Sequence, residues 1–95
     1  GGIQEAYDIC ELAKTFDIPV SPHNFSSGVL LAATAHLMFA VSNTRLLEID
    51  TSDNAVYYEF FPELFQVEDC FAYPPGRPGL GVELNKEMLE LYYEN

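Results

Sequence analysis

His23 and Glu48 are the two side chains whose types and positions could handle a proton together. His23 lies just beyond the apolar stretch Ile18-Pro19-Val20-Ser21, and Glu48 lies within a second one, Arg45-Leu46-Leu47-Glu48-Ile49. If the two stretches are adjacent parallel strands, ~4.8 Å apart, both side chains reach one rim of the sheet. That rim is where parallel α/β folds bind ligands. Imidazole titrates near neutral pH, so a histidine beside a carboxylate there forms a proton-handling pair. The other polar groups read as structure. His36 sits inside an apolar helical face and is expected to be a satisfied packing histidine. Glu59, Glu63, Glu68 and Asp69 read as a solvated face, and Asp50 and Asp53 lack the D-x-D-x-D-G spacing of a calcium loop. No glycine-rich phosphate loop and no G-x-S-x-G occurs, and Gly79-Leu80-Gly81 belongs to a turn. Cys10 and Cys70 form no C-x-x-C pair and read as two thiols in a reducing compartment.

The elements that must position this pair follow from periodicity. Residues 3–16 carry Ile3, Ala6, Tyr7, Cys10 and Ala13 at helical spacing, with Ile9, Leu12 and Phe16 widening the stripe. This helix must stop before Pro19, because the residue ahead of a proline is pushed out of the α region. A strand is expected at 18–21. Ser26 or Ser27 caps a helix running to about Val41 that is apolar on nearly every face and so must be covered on more than one side. A second strand is expected at 45–49. Helix, strand, helix, strand with short connections is the rhythm of a parallel α/β sheet. After the polar loop 50–54 the rhythm changes. Aromatic-rich irregular chain runs through Tyr57, Tyr58, Phe60 and Phe61, and a hairpin spans Phe65 to Tyr73 with Glu68-Asp69-Cys70 turning. A loop covers residues 74–81, and a closing helix runs from about Lys86 to Tyr93, capped by Asn85.

The 95 residues carry 15 acidic against 4 basic side chains, a net charge of −11. The excess is uneven: residues 1–47 hold 4 acids and 2 bases, residues 48–95 hold 11 acids and 2 bases. Nucleic acid and anionic membrane surfaces need clustered Lys and Arg, so neither is an expected partner. With 48% hydrophobic residues, disorder is excluded as the general state. The longest apolar run, residues 29–41, is interrupted by Thr34 and His36 and falls short of the ~20 residues of a membrane span. No basic leader precedes an apolar segment, and a cytoplasmic location is expected. The acidity also fits a salt-adapted host.

The order of short motifs is more specific than any one of them. Gly1-Gly2-Ile3, Leu12-Ala13, Asp17-Ile18-Pro19-Val20, Ser21-Pro22-His23-Asn24-Phe25-Ser26-Ser27-Gly28, Leu31-Ala32-Ala33-Thr34-Ala35-His36-Leu37, Leu46-Leu47-Glu48-Ile49-Asp50 and Pro78-Gly79-Leu80-Gly81-Val82 follow one another along essentially the whole chain. This series resembles the C-terminal portion of the mandelate racemase/muconate lactonizing enzyme branch of the enolase superfamily. That resemblance implies an N-terminal capping domain on a modified (β/α)7β barrel. Residues 1–50 would then be the last βα units of the barrel, with 18–21 and 45–49 as its seventh and eighth strands. Residues 51–95 would be a C-terminal extension of loop, hairpin and closing helix that packs towards the capping domain.

It also implies a chemistry: removal of the proton α to a carboxylate, with Mg2+ stabilising the enediolate. The acid/base histidine of the racemase-like members matches His23, and the glutamate that hydrogen-bonds the substrate carboxylate or enediolate matches Glu48. Asn24 and Asp50 are expected to support their neighbours rather than touch substrate. The family's acidic metal ligands, its lysine motif and the aspartate paired with the histidine would all precede Gly1, so no acidic residue here inherits a metal role. The Pro22-His23 pair favours acid-sugar dehydratase, racemase or epimerase chemistry over the lysine-pair cycloisomerases. Cys70 departs from the pattern, standing where glycine is expected at the hairpin turn. If that turn needs φ > 0, the cysteine costs about 1 kcal/mol of strain.

The expected activity therefore belongs to a parent enzyme acting on a small carboxylic acid, the lone 95 residues being inactive. The competing expectation is a non-catalytic module that self-associates, or one chain of a split barrel. In either case open strand edges and an apolar helix favour homo-oligomers or a complementing barrel fragment.

Overall fold

A computed structural model describes residues 1–93. Its elements are α1 (Ile3–Thr15), α2 (Gly28–Ala40), α3 (Ala55–Tyr58), β1 (Gln66–Glu68), β2 (Phe71–Tyr73) and α4 (Lys86–Tyr92).

Helix α1 ends in a Schellman motif. The Ile18 N–H donates to the Ala13 carbonyl (3.0 Å) and the Asp17 N–H to that of Lys14 (3.1 Å). Asp17 occupies the left-handed position at φ 56°. The stop is thus made two residues ahead of Pro19 by backbone hydrogen bonds, as well as by the proline's steric bar. Only Cys10 of the helix is buried. Ile9, Leu12 and Phe16, expected to widen the buried stripe, are more than half exposed. Helix α2 is capped by Ser27, whose hydroxyl accepts from the Leu30 N–H at 3.4 Å. As an all-round apolar helix it packs on two sides, against α1 and against α3. Its third side stays open at Val29, Leu30 and Phe39.

Two apolar clusters result. Cys10, Leu37 and Val41 form the smaller one between α1 and α2. Leu31, Ala32, Tyr57 and Leu64 form the larger, edged by Leu47, Phe61, Phe65, Leu80 and Val82. The larger cluster draws residues from both halves of the chain, so the barrel-like half and the following half share one core. Gly28 marks their closest approach. A Cβ there would meet Phe61 Cδ2 at 2.6 Å, Phe61 Cβ at 2.8 Å and the Tyr57 carbonyl oxygen at 2.8 Å.

The strands expected at 18–21 and 45–49 do not form as ladders. The nearest pairing is a single parallel bridge from Val20 to Thr44, one residue before the second stretch, with the Val20 N–H donating to the Asn43 carbonyl at 2.9 Å. Direction agrees with a parallel crossover, but extent does not. A barrel strand is stabilised by a neighbour on each edge, whereas among the described residues neither stretch has a second strand beside it, and Pro19 brings no N–H. Leu46 is 77% exposed and Ile18 54%, on faces with nothing packed against them.

The one ladder among the described residues is the antiparallel pair β1–β2, registered Gln66 to Tyr73, Val67 to Ala72 and Glu68 to Phe71. Its turn is the two residues Asp69 and Cys70, with Glu68 paired rather than turning. Both have positive φ, 50° and 65°, as two-residue hairpins of this hand require. The stretch expected to be irregular contains the short helix α3. Asn85 caps α4, its side-chain oxygen accepting from the Glu87 and Met88 N–H groups. No described helix is long and apolar enough to cross a membrane.

Candidate functional site

The peptide leaving Val20 carries Pro22 and His23 to the rim above the bridge, and the extended run from Thr44 carries Glu48 to the same place. The two meet: His23 Nδ1 lies 2.9 Å from Glu48 Oε1. Both are open to solvent, the histidine side chain 81% exposed and the glutamate 41%. The imidazole stacks on Phe25, with centroids 5.4 Å apart and planes 11° from parallel. When Nδ1 carries the proton and donates it to Glu48, Nε2 is the nitrogen left to take or give a proton.

Glu48 is held more firmly than its exposure suggests. Oε1 also accepts the backbone N–H of Asn24 at 2.7 Å, and the Asn24 side-chain amide donates to the Glu48 main-chain carbonyl at 3.0 Å. Asn24 is fully buried. Oε2 has no hydrogen bond among the described residues, which leaves it for an incoming molecule. From the larger core the Tyr57 hydroxyl donates to the Asn24 carbonyl at 3.0 Å. Burial pushes the Tyr57 phenol above its ordinary range, so it remains a donor.

Asp50 stands apart from the pair. Its carboxylate is buried in the loop that follows, accepting from the Ser52 hydroxyl (2.6 Å), the Ser52 N–H (2.9 Å) and the Asn54 side chain (3.1 Å). Those hydrogen bonds, the Ser52 hydroxyl foremost, hold its carboxyl below the usual aspartate range. Its backbone carbonyl accepts the Tyr58 hydroxyl. Asp50 therefore shapes the turn from Glu48 into α3. His36, expected to be a packing histidine, has Nδ1 2.8 Å from the Ala32 carbonyl one turn earlier.

Sequence reasoning missed Tyr57. The only available signal was its type: in an aromatic run expected to pack, tyrosine brings a hydroxyl that must find a partner when buried. Among the described residues no three His, Cys, Asp or Glu side chains gather closely enough to hold a metal ion.

Comparison with known proteins gives the family. Residues 1–88 match the family model described as enolase C-terminal domain-like. The chain is 33% identical over 95 residues to a D-galactonate dehydratase of Pectobacterium atrosepticum, covering 94% of this chain and 25% of that protein. It is 29% identical over 92 residues to an arabinonate dehydratase of Saccharolobus solfataricus, covering 97% and 24%. Among solved structures, a mandelate racemase/muconate lactonizing enzyme from Sulfitobacter sp. superposes with a TM-score of 0.83 at 28% identity, over all of this chain and 24% of the other. A member of the enolase superfamily from a Polaromonas species superposes with a TM-score of 0.84 at 31% identity, over all of this chain and 25% of the other. The chain spans about a quarter of the length of the relatives it matches. It belongs to the enolase C-terminal domain-like family.

Proposed function

We propose that these residues supply the acid/base corner of an enzyme that removes the α-proton of a sugar acid and expels water from the neighbouring carbon. Residues 1–50 are its last barrel units and 51–95 its C-terminal extension. The observation that carries this reading is the 2.9 Å contact between His23 Nδ1 and Glu48 Oε1 at an open rim, in a chain whose relatives include D-galactonate and arabinonate dehydratases.

With Nδ1–H donated to Glu48, His23 Nε2 exchanges a proton with the substrate, and in its protonated form delivers one to a departing hydroxyl as general acid. Glu48 serves at the carboxylate end of the substrate: with a proton on Oε2 it donates to the substrate carboxylate or to the enediolate formed from it. Asn24 holds Glu48 in that position. Family membership adds Mg2+, a Lewis acid that stabilises charge on the substrate carboxylate. The described residues do not make a site for it, since no three metal-binding side chains gather here. In this reading its carboxylate ligands lie elsewhere in the enzyme, and the pair acts from one rim of the pocket.

The enzyme carrying this segment, assayed with Mg2+ against a panel of sugar acids, is expected to release a 2-keto-3-deoxy acid from at least one. His23→Asn, a change at an 81% exposed side chain, is expected to abolish that release while leaving the unfolding midpoint unchanged. Undiminished turnover by His23→Asn would remove the histidine from the mechanism.

A further inference from the structure

We propose that Tyr57 is a positioning residue for Glu48, acting through Asn24 from the C-terminal half of the chain. The proposal rests on Glu48 serving the substrate as described above. Three hydrogen bonds make the connection. The Tyr57 hydroxyl donates to the Asn24 carbonyl at 3.0 Å. The Asn24 N–H donates to Glu48 Oε1 at 2.7 Å, and the Asn24 side-chain amide donates to the Glu48 carbonyl at 3.0 Å. Asn24 thus grips Glu48 at carboxylate and backbone together, and Tyr57 grips Asn24.

The hydroxyl matters because, among the described residues, it is the one hydrogen bond that ties Asn24 to anything other than Glu48. Its side-chain oxygen is buried with no partner among the described residues, and the neighbouring residues His23 and Phe25 are both exposed. The carbonyl that Tyr57 binds and the N–H that Glu48 binds flank one Cα, so fixing the first limits rotation of the second. Tyr57 itself is immobilised: it is 0% exposed and belongs to the larger core with Leu31, Ala32 and Leu64. A rigid anchor, one intervening residue and a half-exposed carboxylate form a short path from core to rim. The same core holds α3, so the extension, which contributes no side chain to the His23–Glu48 contact, sets the position of that contact. A displacement of the order of 1 Å at a reacting group can cost up to ~100-fold in rate, and a partial loosening about tenfold.

Tyr57→Phe keeps the packed ring and removes only the hydroxyl. In the enzyme carrying this segment, kcat for sugar-acid dehydration is expected to fall about tenfold with KM within about twofold, because a loosened Glu48 affects the reacting state more than binding. A second readout is independent of turnover. The Asn24 amide proton, donating to Glu48 Oε1 at 2.7 Å, is expected far downfield in the wild type and to move upfield in Tyr57→Phe. Glu48→Gln should move it the same way and so identify the contact. Wild-type kcat in Tyr57→Phe, or an unmoved Asn24 amide proton, overturns the proposal. So does a variant that loses its folded amide spectrum, since the hydroxyl would then serve stability alone. If the wild type turns over no sugar acid, the proposed function fails and the amide shift alone judges the link. If Glu48→Gln is inactive while Tyr57→Phe is fully active, the function stands and the link fails.

Discussion

Gly28→Ala tests how the two halves of the chain are fitted together. The glycine opens α2, where a methyl group should ordinarily help: alanine is favoured over glycine by up to about 1 kcal/mol inside a helix, and burying one more methyl adds about 0.8 kcal/mol. Here the space is taken. The new Cβ would lie 2.6 Å and 2.8 Å from two Phe61 carbons and 2.8 Å from the Tyr57 carbonyl oxygen. Phe61 can turn partly aside, being only half-buried. The Tyr57 backbone has less freedom, because its ring is fully enclosed and its hydroxyl is bound to Asn24. Forcing a methylene into a filled core costs about 1–3 kcal/mol, which exceeds what remains of the propensity gain at a helix's first residue. Denaturant unfolding should therefore show Gly28→Ala less stable by roughly 1–2 kcal/mol with an unchanged m-value. Adding Phe61→Ala, which removes the Cδ2 contact and keeps only Cβ, should recover part of the loss in a double-mutant cycle. A Gly28→Ala protein as stable as the wild type would refute the close approach of α2 and α3.

Cys70→Gly should stabilise the protein by about 0.5–1 kcal/mol, because Cys70 sits at φ 65° in the hairpin turn; a destabilised variant would show that the turn is not strained. Asp50 predicts an acid limb. Its carboxyl is held below the ordinary value of roughly 3.9 by Ser52 and Asn54, so its stabilisation is complete above that value and is lost as pH falls through the lowered folded value. Unfolding free energy should drop more steeply below about pH 4 in the wild type than in Asp50→Asn; parallel curves would deny Asp50 that role. Of the two thiols, exposed Cys70 should react promptly with a thiol reagent. Cys10, buried and with burial raising its pKa, should react only on unfolding; equal rates would contradict the α1–α2 packing.

What could be read from the sequence was what local chemistry decides. Helical spacing located α1, a cap at Ser26 or Ser27 and one at Asn85 located α2 and α4, and the alternation around Asp69-Cys70 located the hairpin. His23 and Glu48 were legible as reactive types beyond two apolar stretches, and the order of motifs pointed to the family. The remainder depends on distant partners. Residues 18–21 and 45–49 have strand composition, yet a parallel ladder needs a partner held in register by distant parts of the chain, which no local pattern supplies. Helix α3 is four residues held by Asn54 and by packing on Gly28, too short for periodicity to show. Asp17 takes the place usual for glycine at a helix end, so the Schellman stop was hidden behind the more obvious Pro19. The link from Tyr57 to Asn24 spans 33 residues and joins a side chain to a backbone carbonyl, which leaves no trace in residue type beyond the hydroxyl itself.

The central claim, that His23 exchanges a substrate's α-proton beside Glu48, is tested most directly by proton NMR of sugar-acid substrate in deuterated buffer with the enzyme carrying this segment. The account predicts that the wild type incorporates solvent deuterium, at the α-carbon of recovered substrate or at C3 of the 2-keto-3-deoxy product, and that His23→Asn does neither. Exchange at the wild-type rate in His23→Asn would contradict it.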